Sequence, residues 1–378
     1  MSDLSISTPW QHAGTLAAHA LAETAIRTEF PDLRGLSTGI PAVDEKLADA
    51  LEPGRLIVIA GESGRGKSVL AAQLAVAFAH QVPTLWCSLE DGGVDAVRRA
   101  LANVARTPVS AIRNGFRTGQ IAPEVFDAAR TLDELPLDLL ESAGDVVDLV
   151  WSIGRWYKSQ TNIGPLGGVV LIDQLSHIHP THTNAEIDER LRSLRFPTPP
   201  GPQALETKVL EWQVHLLRCA AEKLGITIVL LHQLNDRRDE ATKRPTMDSI
   251  RGSRGITHKA DALLVIHRPS KIENPFAGPG APTSVPAAGD KAELMCLKGR
   301  AIQSGWSVPL QFDGEHQRFA EVDEDLSSPY SGPTAPTAHA LEGAQRLAAL
   351  RARFAETGEA TLPELPARTQ RANELEQF

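Results

Sequence analysis

Cysteine is scarce in this chain: Cys87, Cys219 and Cys296 are the only three in 378 residues, and none sits in a Cys-x-x-Cys pair or beside a suitably spaced histidine. That scarcity excludes a disulfide framework and a zinc site, and leaves three core thiols. No apolar run approaches the roughly eighteen residues of a membrane span, and no basic stretch with an apolar segment behind it opens the sequence. A cytoplasmic location with no membrane partner is the expectation. Internal repeats are also missing. So is an excess of positive charge: 38 Lys and Arg face 47 Asp and Glu, for a formal net charge of −9.

The acidity is unevenly spread. Residues 321–378 carry ten acidic against five basic side chains and residues 1–35 four against two, so the segment between them is close to neutral. Within it, Arg237 to Lys259 collects seven cations (Arg237, Arg238, Lys243, Arg244, Arg251, Arg254, Lys259) against Asp239, Glu240 and Asp248. A local patch of this kind can hold a phosphate backbone even on an acidic protein. On charge alone it reads equally as a solvated loop.

The most informative segment is Gly61-Glu62-Ser63-Gly64-Arg65-Gly66-Lys67-Ser68, a full G-x-x-x-x-G-K-[S/T] match. It follows the apolar run Leu56–Ala60 and leads into a helical pattern from Val69 to His80, the strand, loop and helix context the motif requires. Glycines let backbone amides turn toward phosphate oxygens, and the helix dipole adds positive potential. Residues Gly61 to Val69 therefore form the candidate nucleotide cradle, with Lys67 reaching the β- and γ-phosphates and Ser68 holding Mg²⁺. A nucleoside triphosphate with Mg²⁺ is the expected ligand.

Around this motif, strands and helices alternate as in a parallel α/β sheet. Expected strands are Leu56–Ala60, Thr84–Ser88, Val169–Ile172, Thr227–Leu231, Ala262–His267, Glu293–Leu297 and Ser307–Phe312; expected helices are Lys67–His80, Val94–Val104, Pro123–Leu132, Val146–Gln160 and Leu205–Leu224. The last strands are separated by turns, which predicts an antiparallel extension at one edge. An alanine-rich helix spans roughly His12 to Phe30, and a short helix ends at Leu51. Thr181–Pro202 and Asn274–Gly289 read as surface loops. A Ser/Pro/Thr linker, Ser327–Thr337, precedes a helical tail, Ala338–Phe354. The division is a linker helix (1–35), one ATPase domain (36–320) and an acidic tail (321–378).

Two further strands end in acids. Gly168-Val-Val-Leu-Ile-Asp173 places Asp173 where a carboxylate in phosphate-loop proteins polarises a water on Mg²⁺. Thr84-Leu-Trp-Cys-Ser-Leu-Glu90 places Glu90 where it can orient the attacking water and accept its proton, although a surface or helix-capping Glu has the same appearance. Gln233 ends an apolar run too, where a polar side chain reads as a strand cap. Lys298 and Arg300, taken alone, are surface charges.

The succession STGIPAVDEKL, GESGRGKS, WCSLE, VVLIDQLSHI, VLLHQLNDRRDEATKRPTMDSIRGSRGITHKADALLVIHR and LKGRAIQSG resembles the RecA-type motor domain of DnaB-family replicative helicases, phage members included, over about residues 36–320. The resemblance implies a RecA-like sheet, a hexameric ring of identical subunits and ATP held between neighbours. It makes Glu90 the catalytic base, Asp173 the Mg²⁺ ligand, Gln233 the γ-phosphate sensor, and Lys298 with Arg300 the strand end whose arginine acts on the neighbour's nucleotide. It also assigns Arg251, Gly252, Ser253 and Arg254 to a pore loop on single-stranded DNA, following phosphates rather than stacking bases. Departures are Gly252 in place of an acid, Arg254-Gly255 in place of a Gly-Ala or Gly-Ser pair, and Ala301-Ile302-Gln303 where an Asn-Gly-Pro-like turn is usual. No N-terminal helical domain is seen before residue 36.

The leading expectation is thus an ATP-dependent helicase of DNA replication. The alternative is a RecA-fold ATPase similar to RadA or KaiC that assembles on DNA or a protein without processive unwinding. A small-molecule kinase needs an arginine-bearing lid, and no segment supplies one. The tail from Ala338 serves either as a contact for a loader, a primase or the next subunit, or as a solubilising end.

Overall fold

The computed structural model describes residues 12–358 apart from 48–49, 162, 176–184, 202, 235–243, 251–252, 270, 274–283, 287–289, 301, 325–329, 331 and 334. In chain order the elements are α1 (Ala13–Glu29), α2 (Pro41–Leu47), β1 (Leu56–Gly61), α3 (Lys67–Ala79), β2 (Thr84–Ser88), α4 (Gly93–Ala105), α5 (Val109–Asn114), α6 (Pro123–Glu134), β3 (Leu137–Leu140), α7 (Val146–Ser159), β4 (Val169–Asp173), α8 (Ala185–Ser193), α9 (Glu206–Leu224), β5 (Thr227–Gln233), α10 (Ser253–Lys259), β6 (Ala262–His267), β7 (Lys271–Glu273), β8 (Ser284–Pro286), β9 (Lys291–Gly299), β10 (Ser307–Asp313), β11 (Arg318–Glu321) and α11 (Ala338–Thr357).

Contacts divide the chain into two units, Gly35–Ala335 and a smaller one that joins residues 1–34 to residues 336–378. In the smaller unit α1 packs on α11. Phe30 is buried so closely against Gly343 that a Cβ there would lie 2.6 Å from the ring, and Arg351 meets Glu23 at 2.7 Å. A lone helix of this length is marginal in water, and α11 supplies the apolar face that α1 needs.

The larger unit is built on a nine-stranded sheet in the order β11-β10-β9-β6-β1-β5-β4-β2-β3. From β6 through β3 all neighbours are parallel, whereas β9, β10 and β11 add an antiparallel edge, as expected. β1 and β4 are buried at every position because helices cover both faces, which is why they read as unbroken apolar runs. α7 and α9 lie over Leu56, Val58, Val170, Ile172, Ile228 and Leu230 in the main core. α3 is buried nearly all round, consistent with its lack of a polar stripe.

Three expectations need correction. The short helix is Pro41–Leu47 rather than one ending at Leu51; proline suits a first helical turn, and Asp44 accepts the Thr38 amide at 2.6 Å to fix the entry. The charged part of 181–202 is helical over Ala185–Ser193. Leu137–Leu140 is a strand that alternation did not announce, because it is only half-buried at the sheet edge. The loop expected at 274–289 falls mostly outside the described residues; its Ser284–Pro286 pairs with Lys271–Glu273.

At the amino ends of the strands, Asp261 is 1% exposed and acts as a staple. Its Oδ2 accepts the Leu56 amide at 3.0 Å and Arg218 Nη1 at 2.7 Å, and the same guanidinium nitrogen donates to the Lys259 carbonyl at 2.7 Å. β1, β6 and α9 meet there. Removing one member of a buried ion pair strands the other, so Asp261→Ala is expected to lower unfolding free energy by about 3 kcal/mol. Asp261→Asn, which keeps an acceptor for Leu56, should lose less. Urea unfolding monitored by tryptophan fluorescence checks both.

Candidate nucleotide-binding site

β1 delivers the chain at Gly61, and α3 departs at Lys67, leaving a tight loop above the sheet. Gly64 and Gly66 have φ of +70° and +95°. Gly66 is doubly constrained: a Cβ there would lie 2.8 Å from Phe319 Cζ and 3.1 Å from Phe312 Cε2. Gly66 is also the N-cap of α3 and offers no side-chain acceptor, so no side chain caps the first amides of the helix. Those amides and the helix dipole make an anion site.

Lys67 is 7% exposed, and its ammonium donates to the Glu62 carbonyl at 3.0 Å. Burial depresses its pKa, while Asp173, Glu90 and Glu62 pull the other way. Arg65 Nε pairs with Glu62 at 3.2 Å. Asp173 ends β4 at 2% exposure, level with Ser88 of β2. Its carboxyl is pushed up to about 6 by burial, opposed by a hydrogen bond from the Ser68 hydroxyl and raised further by Glu90. Asp173 Oδ1 is buried and has no hydrogen-bond donor. A lone buried carboxylate oxygen beside a serine hydroxyl suits a hard divalent cation.

Main-chain bonds gather the other strand ends here. Leu89 and Glu90 amides donate to the Asp173 carbonyl at 2.7 and 3.2 Å, which holds the exposed Glu90 beside the loop. Gln233 is in register with Gly61, and the Leu234 amide donates to the Gly61 carbonyl at 3.1 Å. Gly61, Lys67, Ser68, Glu90, Asp173 and Gln233 thus converge at the carboxyl ends of parallel strands, where α/β sheets present ligand crevices.

Lys298 and Arg300 do not join them. β9 runs antiparallel to β6 and puts Lys298 level with Leu263 and Gly299 level with Ala262. Arg300, whose amide donates to the Asp261 carbonyl at 2.8 Å, lies near the start of β1, about 15 Å down the strands from Gly61. Both cations cap the end of α10, Lys298 on the Thr257 and Ala260 carbonyls and Arg300 on that of His258. Of the expected pore loop, Arg251 and Gly252 lie outside the described residues. The backbone of Ser253 and Arg254 opens α10, and their side chains are likewise outside. The segment hangs from a bridge between Leu234 and Ile250, one residue beyond Gln233.

Sequence reasoning missed the wall of the site. Phe312 and Phe319 stand 5.0 Å apart against Gly66, and the Arg268 guanidinium lies 3.5 Å over Phe312. Gln73 of α3 stitches this wall down, its amide donating to the Phe319 carbonyl at 2.9 Å and accepting the Phe319 amide at 2.8 Å. Only strand register brings residues so distant in sequence to the loop.

The raised Asp173 carboxyl carries a stability consequence. Its pKa moves from 3.8 to about 6, so the unfolded chain releases this proton more readily, and stability falls as pH rises from about 4 to 6 and stays lowered above. Asp173→Asn is expected to gain about 1–3 kcal/mol at pH 7.5 without nucleotide or divalent cation. The gain should vanish near pH 4. Thermal melts in EDTA at the two pH values check this.

The family model described as DnaB-like helicase C terminal domain matches residues 35–196 and 203–321. The replicative DNA helicase DnaB of Leifsonia xyli subsp. xyli is 26% identical over 295 residues, covering 77% of this chain and 56% of that protein. The DnaB of Haemophilus influenzae is 25% identical over 307 residues, with the same coverage. The chain spans about half the length of these curated relatives, 56% in each. Among solved structures, the ATPase domain of a phage helicase is similar with a TM-score of 0.64 at 18% identity, over 83% of this chain and 100% of that one. A DnaB-like replicative helicase, solved in a study of its interactions with primase, gives 0.60 at 18%, over 76% and 64%. At such identities the structures share a fold, the RecA-like ATPase sheet. With the family match covering most of its length, this chain belongs to the DnaB-like helicase C-terminal domain family.

Proposed function

We propose that this chain is an ATP-hydrolysing DNA helicase motor that works as a ring of identical subunits, a hexamer, and moves along single-stranded DNA to separate strands in replication. The observation that carries the reading is the division of the machinery between the two ends of one sheet. The phosphate loop, both acids and Gln233 share the carboxyl ends, while Lys298 and Arg300 stand at the amino ends, out of reach of their own chain's loop, which supports a role on a neighbour's nucleotide.

Residues Gly61 to Val69 hold the triphosphate through their amides, with Lys67 on the β- and γ-phosphates. Ser68 and Asp173 would hold Mg²⁺, which would supply neutralisation of phosphate charge. Glu90 orients water and takes its proton. Lys298 and Arg300 of the adjacent copy stabilise charge on the transferred phosphoryl group. Gln233 meets the γ-phosphate, and the Leu234–Ile250 bridge passes its position to Arg251, Gly252, Ser253 and Arg254 on the DNA backbone. A cytoplasmic site of action and a loader or primase partner complete the proposal. Among the described residues, no helix is long and apolar enough to cross a membrane.

A second reading, a RadA- or KaiC-like ATPase that assembles without unwinding, draws on the bonds that Lys298 and Arg300 make to their own chain's carbonyls. Single-stranded DNA separates the two. The helicase should show DNA-stimulated ATP turnover and open a forked duplex; ATP binding without either activity rejects it.

Lys67→Ala should abolish turnover, and Arg300→Ala should lower kcat by about 10³-fold while leaving binding of a fluorescent ATP analogue intact. Mixed together, the two inactive variants should recover activity, because an intact loop then faces an intact arginine across a seam. Phosphate release from the mixture measures this. A mixture as inactive as its parents sinks the shared site.

A further inference from the structure

The carboxyl-terminal halves of α7 and α9 lie toward the end of the sheet away from the phosphate loop. α8 and the turn to Phe196 close over them, leaving a cleft of about 760 Å³, the size of a ligand site. Val150, Leu194, Ala220 and Leu224 give it an apolar lining. Trp151 and Phe196 meet edge to face at 6.2 Å, with Arg190 4.6 Å over the tryptophan and Lys223 5.4 Å over the phenylalanine. Lys158 and Arg155 complete a cationic rim. Arg155 reaches Asp148 only at 4.0 Å, and among the described residues Lys158, Arg190 and Lys223 have no carboxylate partner.

The second observation is Gly154, in the middle of α7 on the floor of the cleft. Glycine there costs about 1 kcal/mol of helix stability relative to alanine. A Cβ at Gly154 would meet nothing within 4 Å, so packing inside this chain gives no reason for the residue. What it does provide is room.

We propose that this cleft docks an acidic peptide segment of a partner protein. An apolar or aromatic side chain of the peptide inserts over Gly154 between α7 and α9, and its carboxylates meet Lys158, Arg190 and Lys223. The unpaired cations supply the complementary charge and raise the encounter rate, while the apolar floor supplies an anchor pocket. A nucleic-acid strand fits less well. The cations ring a pocket instead of following a track, and the aromatic faces on which bases would stack are covered by Arg190 and Lys223. The site shares no residue with the nucleotide machinery, so it stands or falls separately.

The test uses the full chain and a fluorescein-labelled peptide of about twelve residues, Asp and Glu throughout except for a central Leu-Phe pair. Fluorescence anisotropy at low salt should show saturable binding. Gly154→Leu should weaken it about tenfold or more by filling the floor, while its melting temperature is kept or raised and ATP turnover is unchanged. Arg190→Glu with Lys223→Glu should weaken it comparably, and so should replacing Leu-Phe by Ser-Ser in the peptide. The proposal is overturned if the peptide fails to saturate, if Gly154→Leu or the Ser-Ser peptide binds as well as its parent, or if an oligothymidylate competes for these residues with higher affinity.

Discussion

A parallel sheet covered on both faces has one place where its backbone is free to meet a ligand, the row of strand ends. The candidate nucleotide site obeys that constraint. β1, β4 and β5 are sealed by helices along their length, and Gly61, Asp173 and Gln233 are the residues that end them on the ligand side. Because the strands are held in register by ladder hydrogen bonds, those three positions are fixed relative to one another without any bond between their side chains. The cost appears at Asp173, a carboxylate kept in a nearly dry position beside Ser68 and Lys67 and pushed toward its neutral form. A protein selected for stability alone would not put it there.

The same rigidity explains why two sets of residues from one chain cannot meet. An antiparallel neighbour reverses direction, so β9 carries Lys298 and Arg300 away from the loop as surely as β6 carries Ile266 toward it. Their present partners, the carbonyls closing α10, are what any cation near a helix end finds in a single copy. In the proposed function, assembly of identical subunits would let one sequence supply both halves of a site.

What could be read from the residues alone follows from how local each signal is. The strand, loop and helix around Gly61–Ser68 declare themselves within about thirty residues, and the buried parallel strands announce themselves as apolar runs. The acids at 90 and 173 are recognisable because each terminates such a run. By contrast, Phe312, Phe319 and Gln73 are ordinary core and helix residues until the antiparallel edge folds against α3, and Leu137–Leu140 is too short and too exposed to show a period. The helix at 185–193 is hidden by the prolines and histidines around it. Nothing in composition could announce the cleft at Gly154, since its lining comes from three stretches of chain far apart in sequence.

The aromatic wall behind Gly66 has a consequence for how the protein comes into being. Phe312 and Phe319 are translated some 250 residues after the loop they press upon. A nascent chain emerging from the ribosome therefore carries the complete glycine motif long before it carries the surface that shapes it. The glycine motif thus acquires its aromatic wall only once the last strand of the sheet has been made.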